Sequence, residues 1–288
     1  MRSISVYSPA KLNLHLSVLG RRPDGYHELF TLFHRISLKD RITVKKITKP
    51  VFSLKTNHPE LGRQNENLIY KAYQVLKRAS RWKGGIEVKL DKKVPLVAGL
   101  GGGSSNAASF LLAMNHLFRL KLSRKTLVKL GLKLGADVPF FLYEVNQAFG
   151  TGTGGKIKPS AYHGKLWFVV VVPPFKLSTA LVYRRLKAPR LTRISRDATI
   201  TSAFSGCIKK GLWQILLGND LFEASCALRP ELRKVETLFD RTGASEHLMS
   251  GSGSAMFSLH RSKAEARRVA HFMKRSVPRA QVFVCHTY

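Results

Sequence analysis

The chain has 288 residues, with 49 Lys and Arg against 17 Asp and Glu, and a formal net charge of +32. Hydrophobic residues make up 44% and aromatics 9%, enough to build real cores, which excludes intrinsic disorder despite the charge. No apolar run approaches the roughly 20 residues of a membrane-spanning helix, and three scattered cysteines imply neither a zinc site nor a disulfide framework.

In chain order, residues 3–18 read as strand. Lys11, Asn13 and His15 interrupt them, so no secretory h-region is expected and the setting reads as cytoplasmic. A turn follows at Gly20-Arg21-Arg22-Pro23-Asp24-Gly25, where Pro, Asp and Gly are the expected punctuation. Residues 36–44 and 86–90 are further strands. Residues 67–80 form a helix with Leu68, Ala72, Val75 and Leu76 on one face. Residues 99–103 are a glycine-rich loop, with Ser104 or Ser105 capping a helix over 107–117. Ser123 caps a second helix ended by Gly135. Gly150-Thr151-Gly152-Thr153-Gly154-Gly155 reads as turn and suggests a boundary between lobes of 1–158 and 159–288. Beyond it, 168–172 reads as a buried strand, 230–239 and 263–274 as amphipathic helices, 248–259 as strand, turn and strand, and 281–285 as a last strand. The fold class is α+β in two lobes.

The strongest chemical signal is Pro95-Leu96-Val97-Ala98-Gly99-Leu100-Gly101-Gly102-Gly103-Ser104-Ser105. Four glycines in five positions let backbone approach a ligand closely. The helix that follows offers free N–H groups and a positive dipole end to phosphate, and the serines add hydroxyls. The run matches neither a Walker A loop nor Gly-x-Gly-x-x-Gly/Ala, and the protein-kinase motifs are missing. Two more segments stand out. In Pro9-Ala10-Lys11-Leu12-Asn13, Lys11 and Asn13 share a strand face, and Ser250-Gly251-Ser252-Gly253-Ser254 is a second glycine-serine loop. Acids are scarce: between Asp91 and Asp197 only Asp137 and Glu144 occur.

The order of the three segments resembles the galactokinase, homoserine kinase, mevalonate kinase and phosphomevalonate kinase superfamily. The segments Gly25-Tyr26-His27-Glu28-Leu29 and Gly135-Ala136-Asp137-Val138-Pro139 narrow the resemblance to a branch acting on a cytidine diphosphate-linked methylerythritol, in the non-mevalonate route to isoprenoids. The resemblance implies a two-lobed small-molecule kinase fold. Its N-terminal lobe would be ribosomal protein S5 domain 2-like and its C-terminal lobe a ferredoxin-like α/β sandwich. It implies phosphorylation of the substrate's 2-hydroxyl by ATP, with Lys11 and Asp137 catalytic and residues 95–105 holding the ATP phosphates, Ser105 foremost among the hydroxyls. Asn13, Tyr26, His27, Thr179 and Tyr183 would bind the cytidyl substrate. Mg²⁺ would be held mainly through the phosphates, since Asn106 stands where many members carry Asp. A monomer or homodimer is expected, with the 251–254 loop either a simple turn or a support for the site.

The charge keeps a second reading open, a nucleic-acid-binding protein. Against it, no known RNA or DNA motif occurs, and the aromatics do not interleave with basic residues in one stripe of the sequence.

Overall fold

The computed structural model describes residues 2–58, 61, 66–80, 82–160, 162, 164–186 and 198–288. In chain order the elements are β1 (Ser3–Arg21), β2 (His27–Ile47), β3 (Phe52–Thr56), α1 (Leu68–Ser80), β4 (Gly85–Asp91), α2 (Gly102–Leu117), α3 (Arg124–Leu132), α4 (Val138–Leu142), β5 (Gln147–Gly152) and β6 (Lys156–Pro159). Then come β7 (Trp167–Val172), α5 (Thr179–Arg185), α6 (Ala198–Lys210), α7 (Trp213–Leu216), β8 (Gly218–Asn219), α8 (Phe222–Leu228), α9 (Glu231–Arg241), β9 (His247–Met249), β10 (Met256–His260), α10 (Lys263–Ser276) and β11 (Gln281–His286). Among the described residues no helix is long and apolar enough to cross a membrane.

The chain divides into two compact units that interleave in sequence. One comprises residues 1–10, 38–96 and 101–145, the other 11–37, 97–100 and 146–288. A single cut near residue 158 does not describe them, because β1 and β2 each contribute to both units.

In the first unit, β3 pairs in parallel with β4, and β4 pairs antiparallel with β2 from Arg41 to Ile47. Alternate residues Ile42, Val44, Ile86, Val88 and Leu90 are buried, the period-2 signature of a sheet with one covered face. Ile69, Ala72 and Leu76 of α1 and Phe110, Leu111 and Met114 of α2 supply the helical side of that core.

In the second unit, β11, β7, β10 and β9 form an antiparallel sheet in that order. The Val169 to Val172 run of β7 is buried throughout, as a central strand covered on both faces must be. Val169, Val171 and Met256 pack in one cluster with Val235 and Phe239 of α9 and Val269 and Met273 of α10. The stretch expected to be turn begins instead as β5, which pairs with β2 from Leu29 to His34. Gly150 serves close approach there, since a Cβ at that position would lie 2.6 Å from the Phe33 ring.

His34 is fully buried in this unit. Gln147 Nε2 donates to its Nδ1 at 3.3 Å, and its Nε2 meets Thr287 Oγ1 at 3.1 Å. With Nδ1 accepting, the ring is the neutral Nε2–H tautomer, and burial pushes its pKa down to about 3. Below the ordinary histidine value of 6.5 the unfolded chain takes up a proton that the folded chain refuses, so stability is full above that value and falls toward acid. Urea unfolding at pH 7.5 and 5.0 should show the wild type losing about 2 kcal/mol more than His34→Gln on acidification, at about 1.4 kcal/mol per pH unit. Identical losses would contradict the assignment.

Candidate active site

In the first unit, the glycine-rich segment turns into helix earlier than its serines suggested. Gly101 is the N-cap, in the left-handed region with φ 67°, and no side chain caps the helix. Gly102, Gly103, Ser104 and Ser105 are therefore the first turn of α2, and neither serine is the cap. The first-turn N–H groups lack intrahelical acceptors and carry the positive end of the helix dipole. Gly103 is exposed and Ser104 half-buried, whereas Ser105 is buried and accepts a hydrogen bond from Ser8 Oγ at 2.9 Å. Ser104, not Ser105, presents its hydroxyl at the surface of this turn.

Beneath the turn lies a buried polar network that the sequence alone did not reveal. Asp40, with no solvent exposure, accepts from Lys93 N and Val94 N through Oδ1, at 2.7 and 2.8 Å. Its Oδ2 accepts from Lys92 Nζ at 2.7 Å and from Asn106 Nδ2 at 2.8 Å. Asn106 Nδ2 also donates to Ser8 Oγ, and Lys92 Nζ to the Val94 carbonyl. Burial pulls the Lys92 pKa down, and Asp40 opposes that shift. Gly102 must lack a side chain, because a Cβ there would lie 3.0 Å from Lys92 Nζ and 2.9 Å from Val94.

Asp137 follows Gly135, is half-buried, and immediately precedes α4, whose early Pro139 suits a helix start. Ser104 Oγ lies 3.9 Å from where a Cβ on Gly135 would be. The segment bearing Asp137 is thus brought to the start of α2.

In the second unit, Lys11 is buried, and its Nζ donates to Asn13 Oδ1 and to the Gly99 carbonyl at 2.9 Å. Asn13 Nδ2 donates to Thr31 Oγ1 at 2.8 Å, and Asn13 N to Ser250 Oγ at 3.2 Å. Ser250 Oγ also donates to the Gly99 carbonyl at 3.0 Å. The 251–254 loop is therefore more than a turn. Gly251 (φ 59°) packs so that a Cβ would sit 3.3 to 3.5 Å from Asn13 Oδ1, the Gly99 carbonyl and Lys11 Nζ. Asn219 Nδ2 fastens the loop through the carbonyls of Met249 and Gly251, at 2.7 and 2.8 Å. Gly99 (φ 76°) admits no side chain, because a Cβ would collide with the Ser250 carbonyl.

The residues expected at the cytidyl end also lie in this unit. His27 stacks on Tyr183 with ring centroids 4.9 Å apart and 29° between planes. Burial, then the nearby Arg21 charge, lower the His27 pKa, which keeps the ring neutral near pH 7. Tyr26 is 67% exposed, on a turn that Asp24 fixes by accepting from Tyr26 N while paired with Arg22. Thr179 Oγ1 lies 2.8 Å from Ser252 Oγ. Pro95 and Leu96 are half-buried in the first unit. In the second, Ala98 and Leu100 are buried and Val97 is exposed. Asp40, Lys92, Thr31 and Asn219 were not singled out by sequence, and Ser250 only as part of the second glycine-serine loop.

Asp40→Ala should cost about 3–5 kcal/mol in urea unfolding, because the Lys92 ammonium is left buried without its counter-ion. Combining Asp40→Leu with Lys92→Met should recover part of that loss, with a coupling of about 1 kcal/mol or more. Strictly additive losses would show that the two side chains do not act as a pair.

Comparison with known proteins places these features in context. Residues 67–144 match the model described as GHMP kinases N terminal domain, and residues 209–279 the one described as GHMP kinases C terminal. A 4-diphosphocytidyl-2-C-methyl-D-erythritol kinase of Syntrophus aciditrophicus is 37% identical over 270 residues, covering 92% of each chain. The enzyme of that name from Citrifermentans bemidjiense is 37% identical over 272 residues, covering 94% of each. A crystal structure of 4-(cytidine 5'-diphospho)-2C-methyl-D-erythritol kinase superposes with a TM-score of 0.80 at 37% identity, covering 99% of this chain and 100% of that one.

Proposed function

Because the chain belongs to the 4-diphosphocytidyl-2-C-methyl-D-erythritol kinase family of GHMP kinases, ATP-dependent enzymes of the non-mevalonate isoprenoid pathway, we propose that Lys11 and Asp137 are its catalytic pair and that the start of α2 receives the ATP phosphates. The observation that carries this reading is the uncapped first turn of α2, held from beneath by Asp40 and approached by the segment bearing Asp137.

The chemistry follows from the groups present. As the substrate's 2-hydroxyl attacks the γ-phosphoryl group, the Asp137 carboxylate accepts its proton or fixes its direction, help worth about 10²–10⁴-fold. Negative charge gathers on the transferring phosphoryl oxygens, and fixed cationic groups stabilise it without reorganising. Lys11 suits that role, since two oxygens and the Phe33 ring, 5.6 Å from Nζ, hold its ammonium in one direction. The N–H groups of Gly102, Gly103 and Ser104 and the Ser104 hydroxyl suit phosphate oxygens.

Among the described residues no three His, Cys, Asp or Glu side chains gather as a metal-binding set, and Asn106 Nδ2 donates to Ser8 Oγ and Asp40 Oδ2. Mg²⁺, when bound, would be held through the ATP phosphates and water and would supply positive charge to offset theirs. For the other substrate, we assign cytosine to the neighbourhood of the His27–Tyr183 stack and Tyr26, with Asn13 and Thr179 as polar contacts. A neutral His27 can donate to a base edge or a phosphate and accept from a base amine.

The test is Asp137→Asn. Turnover should fall by about 100-fold or more, while titration with a non-hydrolysable ATP analogue and the unfolding midpoint stay near wild type. Turnover near the wild-type value would remove Asp137 from the mechanism.

A further inference from the structure

A second concave feature lies in the first unit, outside the residues assigned above. Val51 and Phe52 at the start of the edge strand β3, with Tyr70, Tyr73, Gln74, Lys77 and Arg78 of α1, line a cavity of about 610 Å³. The helical members fall at positions i, i+3, i+4, i+7 and i+8, a single stripe along α1. The ring centroids of Phe52 lie 5.2 Å from Tyr70 and 4.7 Å from Tyr73, and Lys77 Nζ stands 5.7 Å from the Tyr73 ring. Lys77, Arg78 and Gln74 are exposed, and among the described residues no carboxylate lines the cavity. Contrary to the expectation from sequence, aromatic and basic side chains interleave here in one stripe along α1, joined by Phe52 of β3.

We propose that this cavity is a binding site for single-stranded nucleic acid, with a base stacking on the wall of Phe52 and Tyr70 and the flanking phosphates meeting Lys77 and Arg78. Three observations favour that occupant. A π-face wall with cations at its rim is what sequence-tolerant binding of a strand needs. Gln74 adds an amide able to bond any base edge. The chain carries a net charge of +32, far beyond what two small anionic substrates use, and that excess complements a polyanion. An anionic membrane fits less well: the apolar face of α1 (Ile69, Ala72 and Leu76) is buried in the core and cannot enter lipid. Leu68, at the start of α1, is the residue beside Gly103; at 1.5 Å per residue Tyr70 lies about 3 Å and Lys77 roughly 13 Å farther along the helix, so binding is measured with the active site saturated.

The experiment is fluorescence anisotropy with a fluorescein-labelled 12-mer of oligouridylate. It uses the full chain with its active site saturated by a non-hydrolysable ATP analogue and the cytidyl substrate, between 50 and about 300 mM salt. Binding should persist under saturation and weaken steeply with salt. It should fall by about 5-fold or more in Tyr70→Ala, as one base loses its stacking partner. Lys77→Glu with Arg78→Glu alters exposed charges only. It should flatten the logarithmic salt slope by about 1.4, since each phosphate no longer neutralised removes about 0.7, with kinase turnover unchanged. Displacement by the ATP analogue, equal affinity for uridine monophosphate, preference for anionic vesicles, or undiminished binding in the charge variant would each overturn the proposal.

Discussion

Asp40 is closed off from solvent, yet its carboxylate accepts four hydrogen bonds, from Lys92 Nζ, Asn106 Nδ2 and the backbone N–H groups of residues 93 and 94. A buried carboxylate survives only when its oxygens are met by donors and its charge by a counter-ion. Both conditions hold here. The geometry ties three separate stretches together: β2, the segment after β4, and the first turn of α2. Because Asn106 directly follows that turn, the helix start that offers its N–H groups to phosphate is fixed from below rather than by a capping side chain. The Val94 side chain and the same ammonium leave room only for glycine at 102. A residue placed in a glycine-rich loop can thus be required by its buried neighbour as much as by a ligand.

In the second unit Lys11 is buried and donates to the Asn13 amide oxygen and the Gly99 carbonyl. Ser250 reaches both Gly99 and Asn13, so the C-terminal glycine loop and the strand bearing Lys11 share one set of hydrogen bonds. Gly99 and Gly251 lie in the left-handed region and face neighbours at van der Waals range or closer. Replacing either would combine backbone strain with collision.

How much of this was legible in the sequence can be argued from particular residues. The Ser123 cap was, because a serine before an apolar period has a local meaning, and its Oγ does accept from Thr126 N. So were β7 and β11, whose branched apolar residues can hardly be anything but buried strand. The glycine run announced a close backbone approach, but not where the helix began. Serines after glycines read as caps, and only the left-handed Gly101 shows that they lie inside the first turn. Gly150 and Gly152 read as turn because glycine density usually means one, yet Gly150 belongs to a strand crowded by Phe33. The Asp40–Lys92 pair was beyond reach, since its partners are separated by 52 positions and each looks ordinary alone. Tyr70, Tyr73, Lys77 and Arg78 already share one face of α1 at helical spacing, and only Phe52 joins them through the fold.

One claim stands above the others: that this machinery transfers the γ-phosphoryl group of ATP to a single hydroxyl of a cytidine diphosphate-linked alcohol. The most direct measurement incubates the purified chain with ATP, Mg²⁺ and 4-diphosphocytidyl-2-C-methyl-D-erythritol, and in parallel with mevalonate, homoserine or galactose. ADP release is followed, and the product is read by phosphorus NMR. The expected result is ADP release with the cytidyl substrate alone and one new phosphomonoester, at the 2-position. Equal turnover of another alcohol, or a phosphate at a different hydroxyl, would contradict the claim.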